Sequence, residues 1–207
     1  MKNFQLKAKI LSQTKIKDNY WHCELSAPQV AKNALPGQFI NIRVSDNYDP
    51  LLRRPISLHG ASGTKIKILY EVVGKATEIL AQKKRGEALD IIGPLGSGFT
   101  CPKPKTQNPK PILVAGGMGV APLMFLAERL IEVRKRKTKD GIIVLVGARR
   151  KEELLCVNDF NKLGCQIKIA TDDGSSGFKG RVTDLLKEVL PANRRTGEPA
   201  NQIYACG

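Results

Sequence analysis

The sequence predicts two domains, an antiparallel β-barrel in the first half and an α/β domain with a parallel sheet in the second. Three observations predict this fold class. The 207 residues are 42% hydrophobic and 26% charged, which is typical of globular proteins and sufficient for two small cores. The first half alternates polar and apolar residues, whereas the second half has continuous apolar runs separated by helical patterns. Between them, residues 101–111 contain four prolines, which interrupt helices and central strands.

The first domain, residues 1–100, is predicted from short strands that each have one buried face. Residues 4–10, 38–44 and 65–68 alternate with a period of two, which is typical of such strands. One short helix is expected at 76–82, between Gly74 and Gly86. Several strands at short spacing indicate an antiparallel sandwich or barrel, and we expect the barrel.

The second domain, residues 112–207, follows a proline-rich linker at 101–111. Apolar runs predict buried strands at 111–115, 142–146, 166–171 and 202–206, and helical patterns cover 123–136 and 182–190. Buried strands that alternate with helices indicate a parallel sheet covered on both faces.

The charge of the chain favours an anionic partner. Lysine and arginine number 34 against 19 acidic residues, a net charge of +15, which suits a phosphate-rich cofactor, an acidic protein surface or nucleic acid. Nucleic-acid binding is the less favoured class, because only 5% of residues are aromatic and none is interleaved with basic residues as a stacking platform. The basic run at 134–139 is interpreted as a solvated helix end.

The cysteines and the hydropathy pattern predict a cytoplasmic protein without a membrane segment. The cysteine count is five, an odd number, and no pair has Cys-x-x-Cys spacing, so neither a disulfide framework nor a metal cluster is indicated. Reduced thiols in a cytoplasm fit this pattern. The first residues lack the apolar core of a signal peptide, and no apolar run approaches the roughly 20 residues that span a bilayer.

A glycine-rich segment between a predicted strand and a helix is the strongest local motif. Gly116, Gly117 and Gly119 would let the backbone approach a pyrophosphate at a helix N-terminus. Pro122 suits the first helical turn, where its missing N–H costs nothing. The spacing is not Gly-x-Gly-x-x-Gly, and a tight turn without a ligand is the alternative.

Two further segments in the first domain indicate anion binding. Arg54 precedes Ser57 by three residues on one strand, which would place both near a common surface, the guanidinium on a phosphate and the hydroxyl at a flavin edge. A solvated strand edge is the alternative. A strand also runs through Gly74 into a helix that begins near Ala76 and Thr77. The free N–H groups at the start of this helix would form a second anion site. A capped helix without a ligand is the alternative.

Taken together, these motifs resemble the ferredoxin–NADP reductase superfamily, and within it the electron-transfer subunits of type B dihydroorotate dehydrogenase. The resemblance covers essentially the whole chain. Its motifs are residues 53–57, 73–77, 93–96, 116–122, 171–175, 180–186 and 204–207.

The resemblance implies a role for each motif. Arg54 would bind the flavin phosphates, with Pro55 and Ile56 lining the flavin and Ser57 near its reactive edge. The remaining flavin contacts would come from Leu69, Tyr70, Glu71, Gly74, Ala76 and Thr77. The nicotinamide nucleotide site would comprise Gly116, Gly117, Gly119, Val120, Ala121, Pro122, Asp172, Asp173, Gly174, Cys206 and Gly207.

Three departures from the family pattern stand out. Ile56 occupies a position where the wider superfamily often has a tyrosine that stacks on the flavin. Ala76 stands where glycine is expected, and its methyl group would crowd the pyrophosphate if its φ were positive. The family also continues past Cys-Gly into a tail whose four cysteines bind a [2Fe–2S] cluster. This sequence stops at Gly207 and its cysteines lack the required spacing, so we expect no cluster in it.

The resemblance implies an NAD(P)H oxidoreductase that carries FAD and NAD. It would pass electrons to a catalytic dihydroorotate dehydrogenase subunit in pyrimidine biosynthesis, as part of a heterotetramer, with the cofactors performing the chemistry. The alternative is a reductase module that serves a hydrogenase, a sulfite reductase or ferredoxin. The residues alone do not distinguish FAD from FMN as the bound flavin. The choice between NADH and NADPH as the nucleotide also stays open. Arg149 and Arg150 would accept the 2′-phosphate of NADPH, whereas the resemblance favours NADH.

Overall fold

The computed structural model describes residues 2–101, 110–134, 141–190 and 202–207. The chain divides into two compact units, Met1–Phe99 and Thr100–Gly207. Most of the predicted linker and nearly all of the basic run at 134–139 lie outside the described residues. Within the described part of the chain, no helix has both the length and the apolarity needed to cross a membrane.

The first unit is a closed barrel of six antiparallel strands in the order β1-β2-β5-β4-β3-β6, which confirms the predicted class. Its strands are β1 (Phe4–Lys17), β2 (Tyr20–Ser26), β3 (Phe39–Arg43), β4 (Arg54–Ser62), β5 (Lys65–Glu71) and β6 (Ala88–Leu95). Alternate side chains of each strand fill the interior, as Ala8 and Ile10 of β1 do.

β1 is twice as long as the alternating pattern at 4–10 predicted. A register shift lies between Ile10 and Ser12, where β1 pairs with β2. A bulge of this kind inserts one residue and reverses the inward and outward positions, so the alternation beyond it loses its phase. The sequence pattern therefore ended at the bulge although the strand continues to Lys17.

Two helices accompany the barrel, whereas one was expected. Helix α1 (Pro28–Asn33) is the additional one; its six residues bury only Val30, which is too little for a helical period to be seen in the sequence. Helix α2 (Lys75–Gln82) matches the helix expected at 76–82. The Gln13 side-chain amide donates to the Leu80 carbonyl at 2.6 Å and thereby fixes the end of α2 to β1.

The second unit contains a five-stranded parallel sheet in the order β10-β9-β8-β7-β11. Its elements are β7 (Pro111–Gly116), α3 (Val120–Arg134), β8 (Ile143–Ala148), α4 (Val157–Lys162), β9 (Gln166–Thr171), β10 (Phe178–Lys179), α5 (Val182–Val189) and β11 (Gln202–Cys206). Strands β9 and β11 have the bounds that their apolar runs predicted. Helix α3 begins three residues earlier than expected, because a single 3₁₀ turn at Gly117–Gly119 leads directly into it. Residues 135–136 of the predicted helix are outside the described part.

The order of the strands defines one special position on this sheet. The chain proceeds from β7 through β8 and β9 to β10 in one direction and then returns to place β11 on the other side of β7. In open parallel sheets, ligands bind beyond the carboxyl ends of the strands at such a reversal. The carboxyl ends of β7 and β11 are therefore the first place to look for a nucleotide site.

Candidate functional site

Two adjacent arginines at the start of β4 have different surroundings. Arg53 forms an ion pair with Asp90, at 2.9 Å between Nη2 and Oδ1, and also donates to the Asp90 carbonyl. Within the described part of the chain, Arg54 donates only to main-chain carbonyls, those of Leu52 at 2.9 Å and Arg53 at 3.4 Å. Among the described residues, no carboxylate pairs with Arg54. Arg54 is therefore the arginine whose charge remains available to a phosphate.

The remaining β4 residues do not all face the same way. The register of β3 and β4 is regular from Arg54 to Ser57 and pairs Ile56 with Ile40, which is fully buried. Ile56 accordingly points into the barrel and is 7% exposed, so mainly its backbone is available to a cofactor. Arg54 and Ser57 lie three residues apart on a regular strand and so face opposite sides, and the expected common surface is not supported. Pro55 is exposed and lies on the Ser57 side.

Helix α2 begins with an ordered turn that leaves its first N–H groups free. The Thr77 hydroxyl accepts from the N–H groups of Val73 at 2.9 Å and Gly74 at 3.2 Å, and donates to the Gly74 carbonyl at 2.8 Å. The first intrahelical bond runs from the Glu78 N–H to the Gly74 carbonyl. The N–H groups of Lys75, Ala76 and Thr77 precede that bond and have no acceptor within the helix. With the helix dipole, they form an anion site.

An ion pair joins this helix start to the loop that carries Arg54. The Lys75 ammonium contacts the Asp49 carboxylate. Asp49 is three residues from Leu52, whose carbonyl holds the Arg54 guanidinium, so at most about 11 Å of chain separates these two points. The structure thus brings Arg54 and the free amides of α2 to the same end of the barrel.

The space in front of α2 fits a phosphate group. A Cβ built on Gly74 would meet no atom of the described chain within 4 Å, and the Gly74 backbone is extended. Ala76 is helical without a positive φ, and its methyl group is buried, so the crowding considered from the sequence does not arise. The Arg54 charge, the free amides and this open space are suited to the pyrophosphate of a flavin dinucleotide.

The end of β5 has little side-chain surface to contribute. Leu69 and Tyr70 are 4% and 2% exposed, and only Glu71 is partly open, so the first two would contact a ligand through the backbone. The Tyr70 hydroxyl is buried and has no partner among the described residues. Burial, together with the neighbouring Cys23, raises the pKa of Tyr70, which therefore stays neutral.

The glycine segment after β7 lies against the end of β11. These parallel strands pair Ala115 with Cys206, and a Cβ built on Gly119 would overlap the Cys206 carbonyl. Gly119 is thus required for the close approach of the two strand ends. Gly117 has a φ of +47° and open space around it, so it is the glycine that faces outward. A Cβ built on Gly207 would lie 3.3 Å from the Gly116 Cα, so these two glycines are also close to each other.

The other residues expected at this edge contribute through the backbone or lie further along the sheet. Val120, Ala121 and Pro122 are buried in the first turn of α3. Burial raises the pKa of the Cys206 thiol, partly offset by the Gly207 backbone, and the thiol is neutral near pH 7.

Asp172, Asp173 and Gly174 follow β9, two strands from β7 and therefore roughly 10 Å away.

The turns after β8 and β9 are joined to each other. The N–H groups of Asp172 and Asp173 donate to the carbonyls of Ala148 and Arg149, at 3.1 and 3.2 Å. The Ser175 hydroxyl donates to Asp173 Oδ1 at 2.6 Å, and the Ser175 N–H donates to the same oxygen at 2.9 Å. These bonds lower the pKa of Asp173, which stays ionised. The carboxyl edge therefore runs continuously from Gly174 past Arg149 to Gly117 and Cys206.

Several of these contacts had no signal in the sequence. Asp49 and Lys75 are 26 residues apart, and Arg53 and Asp90 are 37 apart, so no local pattern links them. The short Asp-Gly-Ser segment after β9 was the one usable sign, because an aspartate two residues before a serine commonly closes a side-chain turn.

The residues present do not fit a resident metal cluster. Over residues 2–101, 110–134, 141–190 and 202–207, no three His, Cys, Asp or Glu side chains come together as a possible metal site. None of the five cysteines, all of which are among the described residues, forms a disulfide.

Known proteins are similar to this chain over most of its length. Residues 113–207 match the model of the oxidoreductase NAD-binding domain. The chain is 43% identical over 202 residues to the dihydroorotate dehydrogenase B (NAD(+)) electron transfer subunit of Desulforamulus reducens, covering 97% of this chain and 72% of that protein. The subunit of the same name from Geobacillus kaustophilus is 36% identical, covering 96% of this chain and 72% of that protein.

A solved structure extends the likeness to the fold. An NADH-dependent reduced ferredoxin–NADP oxidoreductase that performs flavin-based electron bifurcation superposes with a TM-score of 0.74 and 29% identity. The superposition covers 90% of this chain and 64% of that one.

A closed antiparallel barrel followed by a parallel sheet, with a candidate anion site in each, defines a reductase module of the ferredoxin–NADP reductase type. Within that class, the chain belongs to the family of dihydroorotate dehydrogenase B electron transfer subunits. The family resemblance predicted from the motifs is confirmed.

Proposed function

We propose that this chain is a flavin-dependent electron-transfer subunit that oxidises NADH and delivers electrons to a catalytic dihydroorotate dehydrogenase subunit. The barrel, residues 1–100, would hold FAD, and residues 112–207 would hold the nicotinamide nucleotide, with 101–111 as the linker. A cytoplasmic location is consistent with five cysteines that form no disulfide. Bound flavin and nicotinamide supply the hydride-transfer chemistry, and the protein supplies binding and electrostatics.

The proposal rests on one combination of features in a single chain. The barrel has a free arginine, Arg54, held near the unsatisfied amides of α2, while the α/β unit has a glycine turn at the reversal of its strand order. Each feature suits a pyrophosphate, and one such site for each cofactor is what transfer between FAD and a nicotinamide dinucleotide requires. The 43% identity to the Desulforamulus subunit favours dihydroorotate dehydrogenase as the partner.

Each residue of the two sites would have a distinct role in binding the cofactors. Arg54 and the first amides of α2 bind the flavin phosphates, and the backbone of β4 and β5 supports the ring. Gly117 allows the second pyrophosphate to approach the backbone, and Gly119 keeps β11 close enough for Cys206 and Gly207 to border the site. No side chain in this scheme exchanges a proton with the substrate.

The test begins with the purified chain reconstituted with FAD or FMN. We expect FAD to bind more tightly, because FMN lacks the second phosphate that the α2 amides and Arg54 would share, and we expect NADH to reduce ferricyanide in its presence. Tighter FMN binding, or no NADH oxidation by a flavin-loaded and folded protein, would contradict the proposal.

The partner is tested separately by size-exclusion chromatography with the catalytic dihydroorotate dehydrogenase subunit of the same organism. We expect the two to elute together, and the Desulforamulus electron transfer subunit with its own partner serves as the positive control. A chain that oxidises NADH but elutes alone, while the control pair assembles, would leave the reductase activity standing and remove the partner assignment.

A further inference from the structure

Two turns at the carboxyl edge of the parallel sheet form one hydrogen-bonded unit, here called the paired turns, residues 149–153 and 172–175. The Asp173 N–H donates to the Arg149 carbonyl, and the Lys151 N–H donates to the Ser175 hydroxyl at 2.8 Å. Ser175 in turn donates to Asp173. The backbone of the first turn is therefore held by the Asp173 backbone and by the Ser175 side chain of the second.

The paired turns lie at the position where a dinucleotide-binding fold contacts the adenosine ribose. They follow β8, which is the neighbour of β7, and β9, which is the next strand beyond β8, and the glycine turn after β7 suits the pyrophosphate. In doubly wound sheets, the residues after the second strand contact the ribose 2′-position, where an acidic residue suits NAD and an arginine suits the 2′-phosphate of NADP. Arg149 and Arg150 follow β8 directly, which by itself would favour NADPH.

The charge of the paired turns differs from that of the chain. They contain three cations and four anions, a net charge of −1, whereas the whole chain carries +15. Arg150 is held within this set, because its Nε lies 3.2 Å from Oε1 of Glu153. Glu153 is the less exposed partner, at 31% against 62%, and its N–H donates to the Arg150 carbonyl. Of the two residues, Glu153 thus has the less exposed side chain and a backbone bonded within the turn.

We propose that Glu153 is a specificity-determining residue that selects NADH over NADPH by occupying Arg150. The inference rests on the proposed function, since it presumes that this edge binds the nicotinamide nucleotide. A 2′-phosphate, with a charge of about −1.5 to −2 near pH 7, would have to take Arg150 from Glu153 and would leave that carboxylate nearby and unpaired. NADH has a hydroxyl at this position and needs no such exchange.

The decisive variant is Glu153→Gln, which keeps the shape of the side chain and removes its charge. We expect the ratio of kcat/KM for NADPH to that for NADH to rise about two- to fivefold at low ionic strength, the range that an exposed ion pair gives. Glu188→Gln is the matched control, because it makes the same change in net charge on an exposed position of α5. Adding Arg150→Ala to Glu153→Gln should abolish the gain.

A binding measurement gives a readout that is independent of flavin and turnover. Calorimetry with ADP-ribose and its 2′-phosphorylated form should show the same change of ratio in Glu153→Gln. An unchanged ratio, or an equal change in Glu188→Gln, would overturn the role of Glu153 while leaving NADH oxidation intact. If the wild type binds neither nucleotide, the proposed function fails, and this inference fails with it.

Discussion

Arg53 and Arg54 are neighbours in sequence but should behave as opposites when mutated. Arg54→Ala removes a charge whose present bonds go to two carbonyls, so the fold loses little. A charge-assisted bond to a phosphate is worth about 1.5–3 kcal/mol, which corresponds to an increase of roughly 10- to 140-fold in the dissociation constant for FAD. We therefore expect flavin affinity to fall by this factor with a nearly unchanged Tm.

Arg53→Ala should have the reverse effect. Arg53 and Asp90 are 21% and 14% exposed in their side chains, and Arg53 makes two hydrogen bonds to that residue. Their loss should cost about 1–3 kcal/mol of stability and lower the Tm by roughly 2–4 °C for each kcal/mol. FAD affinity of the folded protein should change little.

Fluorescence titration of FAD into each purified variant measures the affinity, and thermal denaturation without flavin measures the stability. The reasoning is refuted if Arg54→Ala binds FAD as tightly as the wild type. It is equally refuted if Arg53→Ala lowers flavin affinity more than Arg54→Ala does.

Three other changes test the remaining parts of the two sites. Gly74→Ala should weaken FAD binding several-fold in the same titration while costing at most about 1 kcal/mol of stability, because its backbone is extended and its surroundings are open. Gly119→Ala should lower the Tm more than Gly117→Ala, since a methyl group at 119 overlaps the end of β11 whereas position 117 carries only a positive φ. Ser175→Ala should raise the pKa of Asp173, measured by NMR titration, because it removes the hydroxyl donor.

A different result would contradict each of these three predictions. FAD affinity unchanged by Gly74→Ala would remove the space before α2 from the flavin site. A Gly119→Ala protein as stable as Gly117→Ala would contradict the close approach of β7 and β11. For Asp173, the depressed pKa means that its favourable contribution exists above the unfolded-state pKa and is lost as the pH falls through the lower, folded-state value. In Ser175→Ala this contribution should therefore be smaller and its loss complete at a higher pH, and an acid profile identical to that of the wild type would contradict it.

The sequence predicted the local elements better than their contacts. Strands β9 and β11 have the predicted bounds, and the order of strand and helix patterns identified both sheets. The bulge after Ile10 shortened the predicted β1, and α1 was missed because only Val30 is buried on it. These errors arise where a period of two or of 3.6 is interrupted or too short to see.

The candidate site was predicted as a set of motifs but not as a geometry. Arg53 and Arg54 are equivalent in the sequence, and only the position of Asp90 on β6 distinguishes them. The need for glycine at 119 is likewise set by Cys206 at the other end of the domain. Contacts of this kind depend on how distant strands are aligned, which no local pattern encodes.

Anaerobic titration of the FAD-loaded chain with NADH tests the central claim most directly. The proposed function predicts that about one equivalent of NADH removes the visible absorbance of the oxidised flavin, because the chain itself holds both the donor and the acceptor. The claim is contradicted if excess NADH leaves that absorbance unchanged in a folded protein whose flavin dithionite still reduces.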